Sequence, residues 1–113
     1  MVQQAEQLPE LLLPAELLDL ADQQATSFHV SRWQVGKLWI TPRGSPAGRW
    51  VRTVRMHVPA ADKPVGAPYW DATAGNLVAR LEPILDMVVS QAREIRVLKH
   101  GIAPFARHEV NVL

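Results

Sequence analysis

The chain has 113 residues, its 12 Lys and Arg nearly balance its 11 Asp and Glu, and 48% of its residues are hydrophobic. This length predicts one domain, and the apolar content is sufficient for a buried core, so the composition argues against a wholly disordered protein. Because the chain has no cysteine, disulfides, thiolate metal sites and thiol nucleophiles are excluded.

The N-terminal segment is acidic. Residues 1–25 carry five acidic side chains and no Lys or Arg. We predict a flexible acidic arm over residues 1–13, followed by a single α+β domain over residues 14–113. The arm lacks the features of a signal peptide, and no apolar run in the chain approaches the ~20 residues that span a bilayer, so we expect a cytoplasmic protein without a membrane partner.

A short helix is predicted over residues 14–25. Pro14 suits the first turn of a helix, where its missing N–H costs nothing. Apolar residues recur here at three- and four-residue spacing, which is typical of one buried helical face: Leu13, Leu17, Leu18, Ala21 and Ala25. A helix of this length is marginal alone, so we expect it to pack on the rest of the domain.

After this helix the apolar period changes to two, which indicates β-strands. We predict three strands, at residues 28–34, 37–41 and 49–58, with a Pro- and Gly-containing turn over 42–48. A stiff loop with several prolines follows at residues 59–70.

The C-terminal part combines a helix with two further strands. Leucine and valine at helical spacing predict a helix after residue 70, with Asp71 or Thr73 as its cap, and Pro83 is expected to kink it or split it in two. Period-two patterns predict the last strands at residues 93–99 and 105–112.

Five strands with a helix between the third and the fourth is the element order of the oligonucleotide/oligosaccharide-binding (OB) barrel. We therefore predict an α+β fold with a five-stranded antiparallel sheet or OB-like barrel, an N-terminal helix, and a helix between strands 3 and 4. Two alternatives stay open: Gly36 can mark a bend in one long strand, and other five-stranded α+β sheets share this order. In the OB barrel the binding surface would comprise residues 37–41, 49–57 and the turn at 100–104.

The most informative stretch for function is residues 26–60, which hold six basic side chains and three tryptophans but no Asp or Glu. Cations can contact phosphates and indoles can stack on bases, so this pattern favours a single-stranded DNA or RNA partner. The candidate binding residues are those that the predicted barrel would bring to one basic face: Lys37, Trp39, Arg43, Arg49, Arg55, Lys99 and Arg107.

Each candidate has an ordinary structural alternative. Trp39 can be a core residue if the N-terminal helix or the proline-containing loop covers it. Lys37, Arg49 and Arg55 can form a solvated strand face, or a surface that pairs with the acidic arm. Arg52 lies on the apolar side of its strand, so it needs a partner, for which Glu82, Asp86 and Glu94 are the candidates.

The same charge segregation favours a second function, a protein–protein interaction module or accessory subunit, including self-association of the acidic arm with the basic face. The sequence contains no nucleophile motif and no phosphate-binding loop, and its four histidines do not have the spacing of a ligand set. We therefore expect a non-catalytic protein without a metal or cofactor.

Overall fold

The computed structural model describes residues 7–42 and 44–113 of the chain. Within them, six strands and two helices follow one another in the order β1 (Ala25–His29), β2 (Arg32–Ile40), β3 (Arg49–His57), β4 (Tyr69–Ala72), α1 (Gly75–Leu81), α2 (Leu85–Ser90), β5 (Glu94–His100) and β6 (Arg107–Val112).

The strands form two three-stranded antiparallel sheets, β2-β3-β4 and β1-β5-β6. The prediction of one five-stranded sheet or OB-like barrel is therefore wrong, and the two sheets do not close into a barrel within the described residues. The reason is the short link at Val30 and Ser31: it separates β1 from β2, and β1 pairs with the distant strand β5 instead. One core fills the space between the sheets and helices, and its largest fully buried side chains include Phe28, Met56 and Leu81.

The predicted N-terminal helix is also wrong, because the structure has a turn at Asp22 and Gln23 and no helix within residues 14–24. Their backbone groups bond to sheet edges: Asp71 N–H donates to the Glu16 carbonyl at 2.7 Å, and Leu18 N–H donates to the Asp71 carbonyl at 3.0 Å. Leu18 and Leu20 are buried whereas Leu17 and Asp19 are exposed, so the side chains alternate as in a strand.

Residues 7–18 form a strap across the β2-β3-β4 sheet. At the β2 edge, the Lys37 backbone bonds to Pro9 and Leu11, and at the β4 edge the Asp71 backbone bonds to Glu16 and Leu18. The segment predicted as a flexible arm thus contributes residues 7–13 to this strap, while residues 1–6 lie outside the described residues.

β2 runs unbroken through Gly36, so the predicted turn there is wrong and the alternative of one long strand is confirmed. A Cβ atom at Gly36 would lie 2.6 Å from the Leu11 side chain and 2.8 Å from the Pro9 carbonyl oxygen. Glycine in this strand therefore permits the close approach of the strap, as glycine within strands often does.

The C-terminal half follows the predicted pattern more closely. Two helices with Pro83 between them confirm the expected split, and β5 and β6 occupy the predicted strand positions. The cap differs, because Ala74 is the N-cap of α1 and no side chain bonds to it, while the end of the predicted loop becomes β4. Neither helix, nor any other in the described ranges, has the length and apolar character to cross a membrane.

Candidate functional site

The strand register divides the predicted basic face between the two sides of the sheet. Lys37 lies opposite Arg52 and Trp39 lies opposite Trp50, whereas Arg49 lies opposite Ile40. Directly paired residues project on the same side of a sheet. Lys37 and Trp39 therefore project on the side that faces the core, whereas Arg49 and Arg55 project on the opposite side. The expectation that these four residues project together is wrong.

Arg55 is buried under the strap, with only 2% of its surface exposed, so the expectation of an accessible side chain is wrong. Its Nε donates to Asp71 Oδ1 at 2.7 Å, its Nη2 donates to Asp71 Oδ2 at 3.0 Å, and its Nη1 donates to the Leu12 carbonyl at 2.6 Å. The guanidinium also lies 3.9 Å from the Tyr69 ring centroid. All these partners keep Arg55 inside the protein, where it cannot reach a nucleic acid strand.

A second buried cation fastens the strap. Lys63 Nζ donates to Glu16 Oε1 at 2.6 Å and to the carbonyls of Val65 and Ala67. This bond from Lys63 lowers the pKa of the Glu16 carboxyl below its ordinary value. Tyr69 adds a hydrogen bond from its hydroxyl to the Pro14 carbonyl. The Glu16 carboxylate of the strap therefore stabilises the fold instead of shielding an open basic face.

Arg52 pairs with Glu82, one of its expected partners. Its Nη2 donates to Glu82 Oε1 at 2.6 Å. This prediction is confirmed, although both side chains are partly exposed. The ion pair joins β3 to the end of α1 and removes Arg52 from the set of freely available cations.

Trp39 of β2 and the partly buried Trp50 of β3 form an aromatic pair. Their ring centroids lie 5.2 Å apart at an interplanar angle of 80°, and Lys37 Nζ lies 4.3 Å from the Trp50 ring centroid. Trp39 is 56% exposed, and with Leu13 and Glu10 it borders a cavity of about 260 Å³, which we call the aromatic cavity. The alternative of Trp39 as a core residue does not hold.

A larger cleft lies where the residues next to the strap, the ends of β2 and β4, and the β5-β6 hairpin meet. Its volume is about 460 Å³, and most of its lining is apolar, including Leu18, Leu20 and Ile40. Asp19, Lys99 and His108 supply the charged and titratable groups of its lining. We call this space the end cleft.

A smaller, basic cavity of about 210 Å³ shares His108 with the end cleft. Its other lining residues come from three elements: Arg80 from α1, His100 from β5, and Arg107 and Glu109 from β6. We call it the basic cavity. The hairpin turn beside it holds two exposed apolar side chains, Phe105 at 85% and Ile102 at 70%.

Three acidic groups limit the positive charge at this end, and one of them, Asp19, lines the end cleft. Glu109 lines the basic cavity, and Asp22 Oδ1 accepts a hydrogen bond from the Gly101 N–H at 2.7 Å at the hairpin turn. This backbone bond is the main reason why the pKa of Asp22 lies below its ordinary value, so the carboxylate is firmly charged. The site therefore combines cations with apolar surface and is not strongly positive.

The structure distributes the seven predicted site residues over several places. Lys99 lines the end cleft and Arg107 lines the basic cavity, whereas Arg49 lines neither and is paired with Ile40 of the cleft lining. Lys37 and Trp39 belong to the separate aromatic cavity. Arg55 is buried, and Arg43 lies outside the described residues.

Sequence reasoning did not find Arg80, Phe105 or His108 as site residues. Phe105 carried a usable signal, since a phenylalanine in a Gly- and Pro-containing turn next to basic residues has a good chance of exposure. Arg80 had none, because its position on a short helix next to β6 follows only from the packing of α1 on that strand.

The chain matches no protein-family model, no curated protein and no solved structure at a significant level of similarity.

Proposed function

We propose that this protein is a non-catalytic binding protein for single-stranded nucleic acid, and that the strand binds at the end cleft and the basic cavity. The proposal keeps the ligand class expected from the sequence but moves its site from the β2-β3 sheet face to the β5-β6 hairpin. It also keeps the expected cytoplasmic location.

One observation supports this proposal above all: an apolar cleft opens next to a cavity bordered by Arg80, His100 and Arg107. Proteins that bind single strands combine cations that follow the backbone with apolar or aromatic surfaces for the bases. Phe105 adds an exposed ring at the hairpin turn, on which a base can stack. Lys99 from the end cleft completes a set of donors for phosphates.

The charged residues around the proposed site predict how strongly salt should weaken oligonucleotide binding. With Arg80, Lys99 and Arg107 on phosphates, the logarithm of the affinity should fall against the logarithm of salt concentration with a slope of about −2 for a single strand. Asp19, Glu109 and Asp22 reduce the net attraction, so stacking and apolar contacts contribute a large part of the affinity. Binding should therefore weaken with salt but persist at moderate ionic strength.

Fluorescence anisotropy of a labelled single-stranded oligonucleotide, titrated at several salt concentrations, tests the proposal. We expect Arg107→Ala and Lys99→Ala each to weaken binding and to make the salt slope shallower by about 0.7. Phe105→Ala should cost about 1–3 kcal/mol of binding free energy without a change in that slope.

Arg96→Ala is the matched control. Arg96 is an exposed arginine of β5 that lines neither cavity. Because both residues are arginines, Arg96→Ala changes the net charge by the same amount as Arg107→Ala. Equal losses for both variants would show non-specific charge attraction instead of a site. Absence of oligonucleotide binding at low salt would refute the proposal.

The aromatic cavity favours a second candidate function, association with a second copy of the chain. Leu13, which lines this cavity with Trp39, and its neighbour Leu12 are 79% and 82% exposed, and a patch of such residues can bury itself against the same patch of another copy. Size-exclusion chromatography with light scattering tests it. A dimer that persists at high salt and is lost in Trp39→Ala is expected, and a monomer at all concentrations would exclude it.

A further inference from the structure

The imidazole of His108 is fixed in one orientation and one tautomer. Asn76 Nδ2 donates to the Ala106 carbonyl at 2.8 Å, which turns the amide oxygen of Asn76 towards His108. That oxygen lies 2.6 Å from His108 Nδ1. Because an amide oxygen can only accept, the neutral ring must carry its proton on Nδ1, and Nε2 keeps a lone pair.

His108 Nε2 is accessible from the cavities. In the part of the chain that the structure describes, no hydrogen bond involves this nitrogen, and His57 Nε2 is the one buried side-chain nitrogen or oxygen without a partner. His108 Nε2 must therefore touch the surface, although the residue as a whole is 6% exposed. Since His108 lines both the end cleft and the basic cavity, its open nitrogen is available to a ligand there.

The ring remains an acceptor at neutral pH. Burial, with a smaller contribution from the nearby Lys99 ammonium, lowers the pKa of His108 below its ordinary value. A neutral acceptor set among cations cannot bind a phosphate oxygen, because both groups would accept. It can bind a hydroxyl group.

Resting on the proposed function, we propose that His108 Nε2 accepts a hydrogen bond from a ribose 2′-hydroxyl, so that this site selects RNA over DNA. Lys99 is paired directly with His108 across the hairpin, and Arg107 is its neighbour in the chain. We expect phosphates held by these cations to bring the sugars close to Nε2, because the sugar is bonded directly to the phosphate and the base edges lie farther away along the nucleotide. The 2′-hydroxyl is the group by which a protein distinguishes the two kinds of strand at a given site.

The experiment compares oligouridine with oligodeoxyuridine of the same length, because the two differ only in the 2′-hydroxyl. The wild-type protein should bind the RNA on the order of fivefold to tenfold more tightly, as one hydrogen bond predicts. His108→Phe should bring this ratio to about one by weakening RNA binding alone. Lys99→Ala should weaken both oligomers and preserve the ratio, and Arg96→Ala should change neither.

A second variant and a spectroscopic measurement cover the case in which His108→Phe does not fold. Asn76 is exposed on α1, and Asn76→Leu releases the ring so that the ratio falls. NMR of the imidazole nitrogens of the unaltered protein should show the proton on Nδ1, and a proton on Nε2 would overturn the inference.

The outcomes separate the two proposals. Equal affinity of the wild-type protein for both oligomers, or an equal loss of both in His108→Phe, overturns the role of His108 and leaves the proposed function standing. Binding of neither oligomer at low salt overturns both.

Discussion

Arg55 and Arg107 are both strand arginines, but their environments in the folded protein differ. Each lies in a β-strand, and both were predicted to bind the nucleic acid strand. Arg55 is 2% exposed and bonded to Asp71 and the strap, whereas Arg107 is exposed and borders the basic cavity. The difference arises because a distant segment covers one sheet face, while the end of the β5-β6 hairpin projects beyond the core. Whether another segment covers a strand face therefore decides whether the cations on that face stabilise the fold or remain accessible to a ligand.

The largest expected effect on stability is at Arg55, the buried arginine of this comparison. Arg55→Ala leaves the Asp71 carboxylate, which is fully buried, without its ionic partner. We expect the free energy of unfolding in urea to fall by about 3–5 kcal/mol. Arg107→Ala should change it by less than about 0.5 kcal/mol, as is usual at exposed positions. If Arg55→Ala were as stable as the wild type but failed to bind oligonucleotide, the assignment of the two arginines would be reversed.

A smaller effect is expected from displacing the strap. Gly36→Ala places a methyl group 2.8 Å from the Pro9 carbonyl oxygen, and backbone cannot easily move aside. We expect a loss of about 1–3 kcal/mol in unfolding free energy, together with faster proteolysis within residues 7–18. Gly75→Ala is the matched control, because a Cβ atom there meets nothing within 4 Å. Equal stability of both variants would show that the strap does not need this close contact.

The pH dependence of stability offers a further test of the covered face. Burial first, and then the positive charges of Arg32 and Arg55, lower the pKa of His57 below its ordinary value of 6.5. The unfolded chain therefore binds this proton more readily, so the contribution to stability is complete above 6.5 and is lost as the pH falls below it. Urea unfolding at about pH 7.5 and about pH 5.5 should show this loss, since histidine titrates in this range.

The control for this prediction is His57→Gln. His108 shifts in the same direction, so the variant should lose part of the pH dependence and retain the rest. An unchanged difference between the two pH values would mean that His57 does not contribute.

The smallest effect is expected at Arg52, which is intermediate between the two arginines compared above. Its ion pair with Glu82 has side chains that are 39% and 28% exposed. Exposed pairs are screened by water, so Arg52→Ala should cost no more than about 1 kcal/mol of unfolding free energy. A double-mutant cycle with Glu82→Ala measures the interaction itself. A coupling as large as that at Arg55 would show that partial exposure is a poor guide here.

Local patterns predicted the elements whose periodicity is strong. The β3 strand, the interruption of the helices at Pro83, and strands β5 and β6 all follow from apolar spacing and proline chemistry that act within a few residues. The segment 14–25 failed because leucines at three- and four-residue spacing also satisfy an alternating pattern at Leu18 and Leu20. Hydrogen bonds from β4 then settled its conformation, and β4 itself is too short to be recognised by its pattern.

The sequence by itself determined that the chain has an apolar core, several antiparallel strands, a divided helix and a basic hairpin near its end. Only the tertiary structure decided that β1 pairs with β5, that the strap covers Arg55, and that Arg80 meets Arg107 beside His108. The physical reason is the sequence distance over which each effect acts. Apolar alternation and proline act on residues that are neighbours along the chain. The partner of a buried charge and the walls of a cavity come from segments that come into contact only after folding.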